Sequence, residues 1–293
     1  MQQNITADAF GAPGLEPRWT HGNKNGVGTA YSASSKIWFT LFGGIVTVVY
    51  YPTVDRPQIR DLQYLITDGK SFFHEEMRDL KSKVERISGH TLGFSCVNSD
   101  PAGRYSISKK IITDPFLPCL LQHTSVTGRD EGFLKTLKVY ALCAPHLQVG
   151  GGGNHGYIMT GNGLRILMAR KEGVWLAMLA SVPFSRASCG YVGKSDGWTD
   201  LHENLLMDYE FSHAQSGNIA LTGELDLSGS REFTLATAFG DNEHRAVANL
   251  LQSLGIPFSK QLTHYKEQWE AAASHARPLQ EASFDQGSLY QQL

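Results

Sequence analysis

The sequence contains no apolar run approaching the ~20 residues of a membrane span. The longest candidate, Ile37 to Tyr51, is interrupted by Gly43 and Gly44. There is no basic run either, and the formal charge is −2, which argues against nucleic acid as a partner. The first residues, MQQNITADAF, lack the basic head and apolar stretch of a secretory signal, so a cytoplasmic location is expected. The four cysteines, Cys96, Cys119, Cys143 and Cys189, are far apart and never form C-x-x-C. Zinc and redox motifs are therefore unsupported, and buried free thiols are expected. Charged residues are scarce at 18% while aromatics reach 10%, which excludes disorder and suits an ordered chain of one large or two small domains.

Several chemistries fail on context. Gly151, Gly153 and Gly156 spell G-x-G-x-x-G, but Tyr157 to Thr160 runs straight into the Asn162-Gly163 turn. A bound phosphate would meet no helix N-terminus there. His202-Glu203 opens an H-E-x-x-H motif, yet Leu206 stands in the place of the second histidine. No G-x-S-x-G elbow supplies a serine nucleophile. Glycoside hydrolysis needs two carboxylates facing one another across a cleft. The adjacent Glu75 and Glu76 would point to opposite faces of a strand, so they cannot form such a pair.

What is present is period-two alternation punctuated by glycine turns. Lys36–Phe42 and Ile45–Tyr51 flank Gly43-Gly44, and Leu62–Thr67 and Ser71–Met77 flank Asp68-Gly69, two hairpin signals. Asn162-Gly163 and Glu172-Gly173 bound Leu164–Arg170, with Val174–Ser181 beyond, giving a three-strand meander. Further strands are expected at Arg104–Ile112, Pro118–Thr127, Phe133–Leu142, Leu205–Phe211, Ile219–Asp226 and Glu232–Ala238. So many strands exceed one ordinary sheet, so two large antiparallel sheets packed face to face are expected. After Gly240 the period changes. Asp241 or Asn242 caps a helix with Val247, Leu250, Leu251 and Leu254 on one side, stopped by Gly255 and Pro257. A second helix carries Phe258, Leu262, Tyr265, Trp269 and Ala272 on one face and ends near Arg277-Pro278, before a polar tail.

The segment RASCGYVGKSDGWTDL (186–201) is the densest in chemistry-bearing residues. Its spacing does not fit an EF-hand, so a structural calcium at Asp196 and Asp200 is the one cofactor left open, and none is expected. Asp196-Gly197 reads as a turn whose carboxylate bonds nearby N–H groups before a strand. Trp198 reads either as a sugar platform or as an aromatic plug at an interface.

Four blocks taken in order resemble a known arrangement: GAPGLEPRWT (11–20), KNGVGTAYSASSKIWFTLFGGIVTVVYYPTVDRPQIRDLQYLITDGKSFFHEE (24–76), CGYVGKSDGWTDL (189–201) and GNIALTGEL (217–225). They look like the N-terminal domain of bacterial glucoamylases and glucodextranases of glycoside hydrolase family 15. The resemblance implies a β-supersandwich over residues 1–240, followed over 241–293 by helices that link to an (α/α)6 barrel. It also implies that the catalytic glutamates lie in that barrel, which hydrolyses α-glucosidic bonds from the non-reducing end with inversion. This chain ends at Leu293, about where the barrel would begin, so no catalytic residue can be assigned to it. Family members are often exported, which sets the resemblance against the cytoplasmic expectation. The expectation is a non-catalytic domain that supports and positions the barrel, whether in the same chain or a separate one. A free-standing carbohydrate-binding module contacting α-glucan is the alternative. Trp19, Tyr191, Asp196, Trp198 and Asp200 are the candidate interface or carbohydrate contacts.

Overall fold

The computed structural model describes residues 6–20 and 22–282; the first five residues and most of the expected polar tail lie outside the described residues. The chain begins with β1 (Thr6–Asp8), β2 (Gly26–Thr29), β3 (Trp38–Phe42), β4 (Ile45–Tyr50), β5 (Pro57–Thr67), β6 (Phe73–Glu75) and a single turn, α1 (Glu76–Asp79). It continues through β7 (Lys81–Arg86), β8 (Phe94–Ser99), β9 (Tyr105–Thr113), β10 (Cys119–Gly128), α2 (Glu131–Thr136), β11 (Lys138–Pro145), β12 (Asn154–Gly161), β13 (Leu164–Lys171), β14 (Val174–Ala180) and β15 (Phe184–Tyr191). Then come α3 (Gly197–Asn204), β16 (Phe211–Gly217), β17 (Ile219–Leu225), β18 (Glu232–Gly240), α4 (Glu243–Leu254) and α5 (Phe258–Ala282).

The strands form two sheets, as the alternation requires. One has ten strands in the order β1-β16-β12-β13-β14-β18-β10-β9-β8-β7. The other has eight, in the order β15-β17-β11-β5-β4-β3-β2 with β6 added on β5. All pairings are antiparallel except β1 on β16. The β3–β4 hairpin and the β12–β13–β14 meander fall where the glycine turns placed them. Gly43, Gly44, Asn162, Gly163, Glu172 and Gly173 all carry the positive φ that such turns demand. The four cysteines are buried and free.

Three expectations need correction. Phe133–Leu142 is not one strand: Asp130 accepts from the N–H of Gly132 and Phe133 and caps α2, so β11 starts only at Lys138. Leu205–Phe211 is not a strand either. Leu205 ends α3 in the left-handed region, and the N–H groups of Asp208 and Tyr209 donate to the Asp200 carboxylate at 2.8 and 2.7 Å instead of entering a ladder. The last helix runs through Arg277-Pro278 to Ala282, since one missing N–H does not by itself end a helix.

Asn242 caps α4 by accepting from the N–H of Arg245, and Leu250 is buried against the ten-stranded sheet. Leu251, expected beside it, faces solvent. Asp114, Ser253 and Gln261 form a buried hydrogen-bonded lock between sheet, α4 and α5, and Tyr265 on α5 donates to the carbonyl of Thr29 at 2.6 Å. The apolar face of α5 is thus covered by the sandwich itself. Among the described residues no helix is long and apolar enough to cross a membrane.

Between the sheets lies a dry layer including Phe39, Tyr64, Ile107, Leu121 and Phe233. Inside it sits a fully buried ion pair, Lys109 Nζ to Glu76 Oε1 at 2.7 Å. Asn98 donates to the same carboxylate at 2.6 Å and the backbone N–H of Tyr64 at 2.7 Å. Removing one partner of a buried pair strands the other charge and costs about 3–5 kcal/mol. Lys109→Met should therefore lower the unfolding free energy by about that amount in urea titrations. The double variant Lys109→Met/Glu76→Gln should lose less than the sum of the single losses, and strictly additive losses would refute the coupling.

Candidate functional site

The candidate residues converge on the outer face of the eight-stranded sheet, beneath α3. Strand β5 supplies the floor. Against β11, Asp61 faces Ala144 but Ile59 faces Pro145, so Arg60 is an extra residue. This bulge lets Ile59 face the core while Asp61, Gln63 and Leu65 point outward. Leu65, Tyr140, Leu142 and Ala220 make an apolar bed on which Leu201 of α3 and Met207 sit.

Asp196 shapes the loop before α3. Its carboxylate accepts from the N–H of Trp198 at 3.0 Å, of Thr199 at 3.2 Å and of Gly193, and from the Thr199 hydroxyl at 2.9 Å. The expectation that this carboxylate bonds local N–H groups holds, but what it opens is a helix, not a strand. The sequence S-D-G-W-T-D is an N-cap followed by a first helical turn. Gly197 is required at that position because a Cβ there would overlap Thr222 on β17. The N-terminal segment is tied along the same loop. Ser195 Oγ donates to the carbonyl of Phe10 at 2.6 Å, and the N–H of Leu15 donates to the carbonyl of Val192 at 3.0 Å. That tether delivers Trp19.

The result is a groove of about 410 Å³ holding Trp19, Asp61, Gln63, Glu75, Asp196 and Trp198. Arg60 Nε pairs with Asp61 Oδ2 at 2.5 Å. Glu75 Oε2 accepts from Trp198 Nε1 at 3.0 Å and forms an ion pair with Arg78 Nε at 3.4 Å, while its Oε1 accepts from Gln63 Nε2 at 3.2 Å. Three buried side-chain oxygens of groove residues have no partner among the described residues: Asp61 Oδ1, Gln63 Oε1 and the Thr20 hydroxyl. Asp61 and Gln63 are only 4% and 6% exposed. Trp198 is stacked on His202, with ring centroids 4.8 Å apart, and meets Phe73 at right angles. Trp19 is 40% exposed and sets its ring 4.7 Å from that of His146 in an edge-to-face contact.

Two of the expected contacts are not at the surface. Tyr191 is 4% exposed, and its hydroxyl donates to the carbonyl of Gln215 and accepts from the same residue's N–H. It is a buried strand residue, not an exposed aromatic. Asp200 is fully buried under α3. Burial raises its pKa, against the pull of hydrogen bonds from Tyr209, Asn204 and Asp208, and it organises the chain leaving α3. Among the described residues no three His, Cys, Asp or Glu groups are gathered to hold a metal ion.

Asp61, Gln63, Arg60, Arg78 and His146 escaped the sequence reading. The available signal was alternation: β5 was expected to begin at Leu62, and extending it back places the polar Asp61 on the same face as Gln63. Glu75 and Glu76 do diverge as their adjacency dictates, Glu75 outward to Trp198 and Glu76 into the core. No hydrogen bond pairs a nucleophile with a base in this groove.

His146, behind Trp19, is fully buried with neither ring nitrogen partnered. Burial lowers its pKa from 6.5 to about 4, helped by the Arg60 guanidinium and opposed by Asp61. The unfolded chain takes up a proton below pH 6.5, but the folded chain does not until about pH 4. Stability should therefore fall as pH drops through that window, by up to about 1.4 kcal/mol per pH unit from this group. Urea titrations across the window should show a shallower fall for His146→Phe, and an unchanged slope would contradict the assignment.

Comparison with known proteins agrees with this architecture. The family profile described as glucodextranase, domain N, matches residues 9–273. A glucoamylase from Clostridium sp. (strain G0005) is 36% identical over 262 residues, which is 89% of this chain and 37% of the glucoamylase. The crystal structure of a bacterial glucoamylase complexed with acarbose superposes with a TM-score of 0.88 at 33% identity, covering 92% of this chain and 40% of that one. An inverting mannosidase of family GH92 from Bacteroides thetaiotaomicron shares the fold, with a TM-score of 0.51 at 10% identity, over 83% of this chain and 32% of the mannosidase. The chain thus spans well under half the length of the relatives it matches.

Proposed function

The chain belongs to the glucodextranase domain N family, and on that footing we propose that it serves as the non-catalytic domain that seats the catalytic barrel of a glucoamylase-like glycosidase. The sandwich up to Gly240 forms the seat, and α4 and α5 form the link to the barrel. The observation that carries this reading is the groove: an outer face with a half-exposed tryptophan and buried acceptors that nothing among the described residues satisfies. Around it Phe10, Leu15 and Trp19 stand exposed, as expected of a surface that another body covers. The matched relatives carry far more chain than this domain, which supports a catalytic domain in the same polypeptide as the body that covers it. The parent activity, exo-hydrolysis of α-glucosidic bonds in glucans, would then reside outside these residues. A sugar platform fares less well, because Trp198 already has one face stacked on His202 and its indole N–H bound to Glu75.

The purified chain should release no glucose from maltooligosaccharides, and measurable release would contradict the reading. A second test joins the chain to the part of the Clostridium sp. glucoamylase that it does not match. Calorimetry should show one cooperative transition that Trp19→Asp splits into two. Two independent transitions in the unsubstituted protein would rule out docking through this face.

A further inference from the structure

We propose that the groove is a socket for a loop of the catalytic domain that donates two neutral hydrogen bonds, one to Asp61 Oδ1 and one to Gln63 Oε1. The proposal rests on the docking reading above and specifies its chemistry. The orientation of both acceptors is fixed. Arg60 holds Oδ2 of Asp61, and Oδ1 of this groove-lining residue has no partner among the described residues. Gln63 Nε2 faces the Glu75 carboxylate, which only accepts, so the amide cannot turn over and Oε1 must point away from it. Buried acceptors without donors are costly and rare in folded proteins, and here two of them stand on one strand, two residues apart, lining the same groove.

The donor is neutral by charge balance. Arg18, Arg60 and Arg78 line the groove against Asp61, Glu75 and Asp196, so the formal charges cancel. An inserted ammonium or guanidinium would add an uncompensated charge at a largely desolvated site, whereas a peptide N–H, a carboxamide or a hydroxyl would not. A protein loop fits better than a sugar because Trp198 stacks on His202 and Trp19 leans on His146, so the groove offers no row of open ring faces. Leu15, Met77 and Val192 complete an apolar wall suited to the side chains of such a loop. A domain in the same chain would also reach the groove at high effective concentration.

The test compares two substitutions in two settings. Gln63→Met removes the acceptor at similar volume. Asp61→Asn keeps an oxygen for Arg60 and so puts an N–H₂ donor where the loop expects an acceptor. In the isolated chain both variants should melt lower than the parent, because Gln63→Met loses the bond to Glu75 and Asp61→Asn weakens the pair with Arg60, so the socket is read from the further fall in the joined protein. In the chain joined to the unmatched part of the Clostridium sp. glucoamylase, each should lower the shared transition by at least about 4 °C more than in the isolated chain, or split it. Equal shifts in both settings, no shift in either, or an isolated variant that fails to fold would each overturn the socket, since the acceptors would then act within this chain or not at all. If Trp19→Asp uncouples the two parts while neither acceptor variant does, the docking reading stands and the socket falls. If Trp19→Asp uncouples nothing, the docking reading itself fails. Saturable quenching of tryptophan fluorescence by maltotetraose in the isolated chain, abolished by Gln63→Met, would assign the groove to sugar and likewise overturn the proposal.

Discussion

The contact on which the rest of this sandwich depends is the carboxylate of Glu76. It lies in the dry layer between the sheets and receives three donors from three different directions. Lys109 of β9 and Asn98 of β8 reach it from the ten-stranded sheet, and the backbone N–H of Tyr64 reaches it from the eight-stranded one. Asn98 also donates to the carbonyl of Gly44 at 3.1 Å, so the β3–β4 turn is drawn into the same knot. A Cβ at Gly44 would overlap the Asn98 side chain, which explains why that turn position must be glycine beyond its positive φ. Burying a charge pair adds little net stability over a well-packed apolar alternative, but any misregistered packing would leave a charge unpaired in the core. The pair therefore acts on which packing forms more than on how deep its free-energy minimum lies.

One residue before that knot the chain does the opposite. Glu75 leaves β6 toward the outer face and binds Gln63, Arg78 and the Trp198 indole. Because α1 begins where β6 ends, the same two residues couple core and groove. Inward, Glu76 fixes how the sheets meet; outward, Glu75 fixes where α3 and its tryptophan lie. The Asp68 turn reinforces this, its carboxylate accepting from the N–H groups of Lys70, Ser71 and Phe72, with Gly69 packed against Leu206 just beyond α3.

The sequence made the sandwich legible because period-two alternation and positive-φ turns are local signals. Gly43-Gly44, Asn162-Gly163 and Glu172-Gly173 each marked a hairpin that exists. Three of the errors share one cause: a side chain capturing backbone N–H groups. Asp130 turned the start of an expected strand into α2, Asp196 turned an expected loop into α3, and Asp200 held residues 208 and 209 out of any ladder. The acidic residues were visible, but whether they cap or coordinate depends on which N–H groups the fold brings within reach. The groove was less legible still. Trp19, Asp196 and Trp198 were found from a single dense segment and a resemblance, whereas Asp61 and Gln63 stand out only because nothing among the described residues meets their free oxygens, which no local pattern announces.

The same bookkeeping of donors and acceptors bears on catalysis. A general acid and a general base must each be free to exchange a proton with substrate. Around this groove Asp196 is spent on a helix terminus, Asp200 on the chain leaving that helix, and Glu75 on an indole, an amide and a guanidinium. Among the described residues one carboxylate oxygen of the groove, Asp61 Oδ1, lacks a donor, and the other oxygen of that carboxylate is held by Arg60. Inverting hydrolysis needs an acid and a base carboxylate on opposite sides of the sugar, whereas the other groove carboxylates, Glu75 and Asp196, are engaged within the domain. What the arrangement does provide is two fixed acceptors, an exposed indole and an apolar wall. These are the features on which the proposed docking of a protein loop rests.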